Sequence, residues 1–283
     1  MRSDLQEMPL AEQDIFGQLE AMEGLPVRVV FFTSVADKEG YCEQRERIEK
    51  CCLERFGECA PMSALVVQPP LGATLYAEVT TVAEVGEVCY NDDYILLDDE
   101  VVITGGIYAS GEGSIGEQSE EIFSRVGEIL AAEGLQPSDI VRQWNFIEHI
   151  TSCSSQGQNY QQFNDARSRF YASVEWSNGY PAATGIGAEG GGVVVLFVAV
   201  RESGKISRAV DNPLQISAHA YSQQVLIEGR QKQKSTPKFE RARWVGSEPR
   251  DMIYISGTAA IRGEESLQAD ATAQYTSPFS APR

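Results

Sequence analysis

Residues 94–201 alternate short apolar stretches with amphipathic ones in an order that few folds can accommodate. The pattern predicts two strands within residues 94–110, a helix at 119–132, a strand at 141–150, a helix at 159–173 and a strand at 191–200. Because each helix joins strands of one sheet, both helices are crossover connections. We therefore expect an α+β fold whose helices pack on one face of the β-sheet.

The composition fits a folded protein and argues against nucleic acid as a partner. With 283 residues, of which 42% are hydrophobic, the chain can form one large domain or two modest ones. The formal charge is −18, whereas phosphate-binding proteins normally present a basic face. Basic residues are concentrated only at residues 230–243, which we interpret as a solvated loop.

The sequence contains neither a membrane-spanning run nor a recognisable export signal. No apolar stretch reaches the length that crosses a bilayer, and the acidic N-terminus lacks an apolar signal core. We therefore expect a cytoplasmic protein without a membrane partner, whose six cysteines are reduced thiols.

Two internal repeats divide the chain into units. The segment RIEKCCLERFGECAP…PPLGATLYAEVTTV parallels YQQFNDARSRFYASVEW…GGGVVVLFVAV, and DEVVITGGIYASGEG parallels RDMIYISGTAAIRGEE. We predict a lead-in at 1–23, a degenerate N-terminal half-unit with its linker at 24–93, a complete unit at 94–212, the start of a further unit at 213–274 and an irregular tail at 275–283. The sequence predicts that this last unit is incomplete, so we expect another part of the sheet or a second chain to cover Ile253 and Ile255.

A stripe of polar and aromatic residues follows one side of the second helix of the complete unit. Tyr160, Asn164, Arg167 and Tyr171 are spaced by 4, 3 and 4 residues, which places them on one helix face. The stripe is interpreted either as a substrate-binding surface or as a polar interface between units.

Two further stretches could contact a ligand. Arg142 shares a strand face with Trp144, and it is either a carboxylate anchor or a charge at the strand end. Thr184, Gly185 and Gly187 predict a loop whose backbone can approach a ligand closely, or an ordinary glycine turn. The two histidines have no third ligand nearby in sequence, so we predict no metal site.

Several stretches also resemble known families. VVITGGIYAS, VGEILAAEGLQPSDIVRQWNFIEH, YQQFNDARSRFY and GGVVVLFVAV are similar, in this order, to a unit of the YjgF/Rid (chorismate-mutase-like) fold. The ATGIG stretch at 183–187, with QWNFIEHI, FNDARSRFY, PLQISAHAY and ISGTAAI, resembles the chorismatases, which are larger proteins of that fold. The resemblance covers about residues 25–274.

The resemblance implies a function in aromatic secondary metabolism. Chorismatases cleave chorismate to pyruvate and a dihydroxycyclohexadiene carboxylate or a hydroxybenzoate, with no metal or organic cofactor. The implied partner is a small anionic substrate, and the assembly implied by Rid proteins is a trimer-like homo-oligomer. The reaction needs a general acid for the enol ether and donors for a dianion.

The resemblance also assigns roles to individual residues. Asn164 matches a substrate-pocket asparagine of Rid proteins, and Tyr221 matches the tyrosine of their YSQ motif. Ala183 stands where imine-hydrolysing Rid proteins carry an arginine. Chorismatases take their catalytic glutamate from the closing strand of the last unit, and the nearest equivalent in this chain is Glu78.

Two other functions remain open. A Rid-type imine or enamine hydrolase is disfavoured by Ala183, unless Arg241 or Arg243 supplies the arginine from another loop. A non-catalytic protein of this fold that binds a small ligand is the other alternative, because the last unit is incomplete.

Overall fold

The computed structural model describes residues 12–35, 37–220, 235–246, 251–257, 261–262 and 265–266. Its helices are α1 (Glu12–Ala21), α2 (Lys38–Phe56), α3 (Ile115–Ala132), α4 (Asn159–Tyr171) and α5 (Ser203–Ile206). Within these described ranges, no helix combines the length and apolar character that crossing a bilayer requires.

The N-terminal region forms a three-stranded sheet covered by helices on one face. Its strands are β1 (Leu25–Thr33), β2 (Met62–Val67) and β3 (Leu75–Val82). Strand β1 lies in the centre, parallel to β2 and antiparallel to β3. Helix α2 is the crossover between the parallel pair, and the element order is therefore β-α-β-β.

The two ends of α2 follow from local chemistry. The Asp37 side chain accepts a hydrogen bond from the backbone N–H of Gly40 at 2.8 Å, which caps the free amides of the first turn. The helix ends at Gly57, whose φ of 58° suits a residue without Cβ.

The central region forms a seven-stranded sheet. The strand order is β11-β8-β12-β6-β5-β4, and β7 pairs with β12 beside this path. Strands β8 and β11 are parallel, and the other pairs are antiparallel. The strands are β4 (Val88–Tyr90), β5 (Tyr94–Leu97), β6 (Val101–Thr104), β7 (Ile107–Tyr108), β8 (Ile140–Glu148), β11 (Ala182–Ala188) and β12 (Val193–Val200), with a small hairpin of β9 (Cys153–Ser154) and β10 (Gly157–Gln158) before α4. Strand β4 lies within the stretch predicted as a linker.

Helices α3 and α4 cover one face of this sheet, as predicted. The Ser114 side chain and the Glu117 carboxylate form a capping box, so α3 begins four residues before the predicted start at 119. The apolar stripe of α3 is buried against Val195 and Phe197 of β12. Burying such side chains is worth about 1.5–3 kcal/mol each, which fixes the helix face.

The glycine-rich stretch around Gly185 is not the loop that we predicted. It is strand β11, which pairs with β8 along its whole length. The glycines allow a close approach of side chains: a Cβ at Gly185 would lie 3.2 Å from the Tyr160 ring, and one at Gly187 would lie 2.9 Å from Ile150. Small residues are therefore required by packing rather than by a turn.

The two sheets pack face to face, with their helices outside. Val30 and Val66 of the N-terminal sheet contact Phe146 and Leu196 of the central sheet. The sheets also meet at their edges, where the Gly106 N–H donates to the Ser63 carbonyl at 2.9 Å. The result is a double sheet whose inner faces share one interior.

The C-terminal described segments form a third, smaller sheet. Strands β13 (Ser207–Val210), β14 (Ala242–Val245) and β15 (Met252–Ile255) are antiparallel neighbours, and β16 (Ile261–Arg262) pairs with β17 (Glu265–Ser266). Ile253 and Ile255 are 58% and 63% exposed, so the described residues of this chain do not supply the cover that we expected.

Candidate functional site

The predicted stripe of α4 faces the sheet below it. Asn164, Arg167 and Tyr171 are buried, and Arg167 Nη2 donates to Asn164 Oδ1 at 2.6 Å. The Tyr171 hydroxyl donates to Gln143 Oε1 at 2.7 Å, which ties the helix to β8. Tyr160 lies over Gly185 of β11. The four residues therefore share one face, as the spacing predicted.

The segment at 235–240 lies against the same helix. Gln161 Nε2 of α4 donates to the Ser235 carbonyl at 3.3 Å. Lys238 is half-buried there, with its ammonium 5.6 Å from the centre of the Tyr180 ring. Burial lowers the pKa of Lys238, and the positive charge of Arg167 lowers it further. The site therefore brings two cations close together.

Neither cation is neutralised by a carboxylate within the described residues. Arg167 hydrogen-bonds only to an amide oxygen and contacts the Phe163 ring, and its buried Nε has no hydrogen-bond partner. Lys238 donates to the Thr236 hydroxyl at 3.1 Å. A pair of uncompensated positive charges is suited to an anionic ligand.

Aromatic rings form a wall beside the two cations. The ring centres of Tyr171 and Trp176 are 4.5 Å apart, those of Trp176 and Tyr180 are 4.8 Å apart, and those of Tyr180 and His219 are 5.3 Å apart. Such a wall offers a flat apolar surface to a cyclic ligand.

A buried carboxyl stands next to this wall. Glu240 is 4% exposed, and its Oε1 accepts a hydrogen bond from the Tyr180 N–H at 3.0 Å. The same oxygen lies 3.7 Å from Nδ1 of His219. Our sequence analysis missed Tyr180, Lys238 and Glu240, because no local pattern links them to α4.

The basic stretch at 230–243 is not a solvated loop where the structure describes it. Glu240, Arg241 and Arg243 are buried, and Arg243 is inaccessible to solvent. The charges are buried because the backbone carbonyls of residues 178–180 and the Ser207 hydroxyl satisfy the Arg243 guanidinium.

The predicted residues of β11 connect the site to the C-terminal sheet. The Ala183 N–H donates to the Ser256 hydroxyl at 2.9 Å, and the Gly257 N–H donates to Thr184 Oγ1 at 2.9 Å. Ala183 and Gly185 lie on the α4 side of the sheet, whereas Thr184 lies on the other side. The predicted Tyr221 lies outside the described residues.

Two predicted residues lie away from this site, in the interior between the sheets. Arg142 faces the interior, where its Nη2 donates to Thr184 Oγ1 at 2.7 Å. Glu78 of β3 is opposite Val30, a residue of the interior core, and therefore faces the same space. The central sheet separates both residues from the α4 stripe.

A groove at the junction of the N-terminal and central regions is the main alternative location. It encloses about 940 Å³ and includes Arg45, Glu49, Cys52, Ser63, Tyr90, Gly106 and Tyr108 in its lining. The lining also contains Glu58, Asp92, Asp93 and Arg125, so carboxylates outnumber arginines by four to two. Because this excess of carboxylates repels anions, the groove is a poorer anion site than the surface formed by Arg167, Lys238 and the aromatic wall, which we call the α4 face.

Comparison with known proteins supports the resemblance noted in the sequence. The family model described as chorismatase FkbO/Hyg5-like, N-terminal, matches residues 78–199. Over these residues the chain is similar to the chorismatase family. A chorismatase from Streptomyces rapamycinicus is 30% identical over 181 residues, which are 60% of this chain and 47% of that protein. A 3-hydroxybenzoate synthase from Streptomyces hygroscopicus is 29% identical over 159 residues, which are 54% of this chain and 44% of that protein.

The fold agrees with this similarity. A crystal structure of a chorismatase matches 98% of this chain and 75% of that one, with a TM-score of 0.69 and 19% identity. The predicted α+β fold of YjgF/Rid type is therefore confirmed. The chain spans about half the length of the curated relatives that it matches.

Proposed function

We propose that this protein cleaves chorismate, releasing pyruvate and leaving a dihydroxycyclohexadiene carboxylate or a hydroxybenzoate. The observation that carries the proposal is the pair of uncompensated cations, Arg167 and Lys238, beside a wall of aromatic rings. Chorismate carries two carboxylates on an unsaturated ring, so it needs both positive charge and a flat surface. The relatives named chorismatase and 3-hydroxybenzoate synthase support the same chemistry.

The cations and aromatic rings at this site have separate roles in the proposal. Arg167, oriented by Asn164, holds one carboxylate with its unoccupied N–H donors, and Lys238 holds the other. The Trp176 and Tyr180 rings pack against the ring of the substrate. Arg167 is buried and Lys238 is half-buried, and partial removal from water strengthens the attraction of both cations for an anion.

The chemical step needs a proton donor near the enol ether. Protonation of the terminal enol carbon gives an oxocarbenium ion, water adds to it, and the resulting hemiketal releases pyruvate as the C–O bond breaks. We assign the proton donor to Glu240, because it is buried next to the aromatic wall and two residues from Lys238. Glu78, the carboxyl favoured by the sequence, lies beyond the central sheet.

The test is pyruvate release from chorismate by the purified protein. Arg167→Met and Lys238→Met should each lower kcat/KM by about 10- to 150-fold, since a hydrogen bond to a charged group contributes about 1.5–3 kcal/mol. Glu240→Gln should lower kcat more than it raises KM, whereas Glu78→Gln should do neither.

Arg169→Met is the matched control for the α4 variants. Arg169 belongs to the same helix but is exposed and paired with Glu120, so its loss should leave turnover unchanged. Pyruvate release no faster than the spontaneous rate would refute the enzymatic proposal. If chorismate then still bound, and Arg167→Met abolished that binding, the alternative of a non-catalytic binding protein would be supported.

The Rid-type hydrolase gains no support from the arginines that could have replaced the missing one. All the donors of Arg243 are directed at carbonyl oxygens and at Ser207. Arg241 donates to the Ile216 carbonyl at 2.9 Å and stacks on Phe239. Arg243 is therefore not left to bind an imine substrate beside Ala183.

A further inference from the structure

A second pair of positive charges lies in the interior between the two sheets. Arg28 of β1 and Arg142 of β8 are 4% and 6% exposed. Both guanidinium groups stack on the indole of Trp144, at 4.3 and 4.5 Å from its ring centre. Two like charges are thus held next to each other away from water, an arrangement that needs a compensating anion.

Several donors of this pair have nothing to bind within the described part of the chain. Nε and Nη1 of Arg28 and Nη1 of Arg142 are buried without a hydrogen-bond partner. Arg142 uses Nη2 to bind Thr184, and neither arginine forms an ion pair with a described carboxylate. An uncompensated buried charge costs several kcal/mol, so such donors are rarely left empty in a working protein.

The surroundings of the pair do not supply the missing charge. Glu78 is the nearby carboxylate, and its charge acts on both arginines, but it makes no ion pair with either of them. Burial, and then the charge of Arg28, lower the pKa of Arg142 to about 10. Tyr254 of β15 lies close to both guanidinium groups. One carboxylate facing two guanidiniums leaves the cluster positive.

We propose that Arg28 and Arg142 bind a small carboxylate between the two sheets, at a site separate from the α4 face. A carboxylate matches the planar fork of a guanidinium and can accept from both arginines at once. The Trp144 ring fixes the two guanidinium planes, which leaves their edges to bind the anion. The site uses residues of both sheets, so its occupation links the N-terminal and central regions.

The experiment titrates the intact protein with sodium acetate and follows tryptophan fluorescence and thermal unfolding. Sodium chloride at the same ionic strength and neutral acetamide are the reference solutes. We expect a saturable fluorescence change and a rise in Tm with acetate, both much larger than with either reference. Trp144→Phe should remove the fluorescence change but retain the rise in Tm.

Variants of the pair separate binding from a structural role. Arg28→Met and Arg142→Met should weaken the acetate response at least tenfold, whereas Arg208→Met, which removes an exposed arginine stacked on Trp244, should retain it. Should a methionine variant fail to fold, Arg28→Lys keeps the charge and should bind acetate with reduced affinity.

A response to chloride equal to that of acetate, or no saturable response in the wild-type protein, would overturn the proposal. An undiminished acetate response in Arg28→Met would overturn it as well. Since chorismate is absent from the assay, these results do not depend on whether the enzymatic proposal is correct.

Discussion

Replacing Arg243 by methionine tests how the aromatic wall of the candidate site is held in place. Arg243 of β14 is inaccessible to solvent. Its Nη1 donates to the carbonyl oxygens of Asn178, Gly179 and Tyr180 at 3.3, 3.0 and 2.9 Å. Nε and Nη2 both donate to the Ser207 hydroxyl. One side chain thus fixes the turn that carries Tyr180 to the C-terminal sheet.

The stability lost in Arg243→Met can be estimated from the four acceptors that methionine would leave without their hydrogen bonds. Hydrogen bonds to a charged donor contribute about 1.5–3 kcal/mol each, which would give roughly 6–12 kcal/mol if they were additive. Two effects reduce this value. The guanidinium itself is costly to bury, as its lowered pKa indicates, and water can reach the partly buried carbonyls. We therefore expect a loss of about 3–5 kcal/mol, as is typical when a buried charge partner is removed.

Urea unfolding followed by tryptophan fluorescence measures this loss. Arg243→Lys keeps the charge with fewer hydrogen-bond donors, so its free energy of unfolding should fall by an intermediate amount. Arg208→Met on the neighbouring strand should lower the free energy of unfolding by less than about 1 kcal/mol. Chorismate binding by Arg243→Met should weaken with the turn, although Arg243 itself touches no substrate in our proposal. A loss of less than about 1 kcal/mol for Arg243→Met would refute the inference that its hydrogen bonds hold the turn.

Two further predictions concern the junction between the N-terminal and central regions. The Tyr108 hydroxyl accepts from the Leu65 N–H at 2.7 Å, and burial raises the pKa of Tyr108 to about 12. The folded state keeps the proton of the Tyr108 hydroxyl up to about pH 12, whereas the unfolded state loses it near pH 10. The free energy of unfolding should therefore fall from about pH 10 to about pH 12, and it should fall less steeply in Tyr108→Phe. The free energy of unfolding, measured in urea at each pH, gives this fall. If it were equally steep in the wild-type protein and in Tyr108→Phe, the assignment would be contradicted. Gly105→Ala should cost about 1–3 kcal/mol by overpacking, because a Cβ there would lie 2.5 Å from the Ser63 carbonyl oxygen. The open position Gly204 provides the control alanine substitution, and equal stabilities for the two variants would refute the argument.

The sequence was sufficient for the elements whose periodicity is strong. The apolar stripe of α3 and the β-branched run of β12 have clear helix and strand periods, and both elements were predicted within a few residues of their ends. Strand β11 was missed because its composition, AATGIGA, lacks the bulky residues that mark a strand. Its glycines are explained by the Tyr160 and Ile150 side chains packed on them, which no local pattern reveals.

The shared helix face of Tyr160, Asn164, Arg167 and Tyr171 was predicted correctly because helix spacing is a local property. Lys238 lies more than sixty residues further along the chain, and its position beside Arg167 depends on how the segment at 235–240 packs against α4. In the sequence, Lys238 belongs to a basic stretch that is typical of a solvated loop. Burial by residues distant in the chain reverses that interpretation.

The pairing of Arg28 with Arg142 is a second case in which local sequence does not predict a contact between residues distant in the chain. Arg28 stands in an apolar strand, where a single charge usually marks a solvent-facing position, and nothing nearby in sequence connects it with Trp144. Only the face-to-face packing of two sheets, each from a different region of the chain, directs both arginines into one interior space. Both proposed anion sites therefore arise where separate regions of the chain meet. A sequence repeat predicts the units, but the charges that face each other across a junction depend on the register of packing, which is a tertiary property.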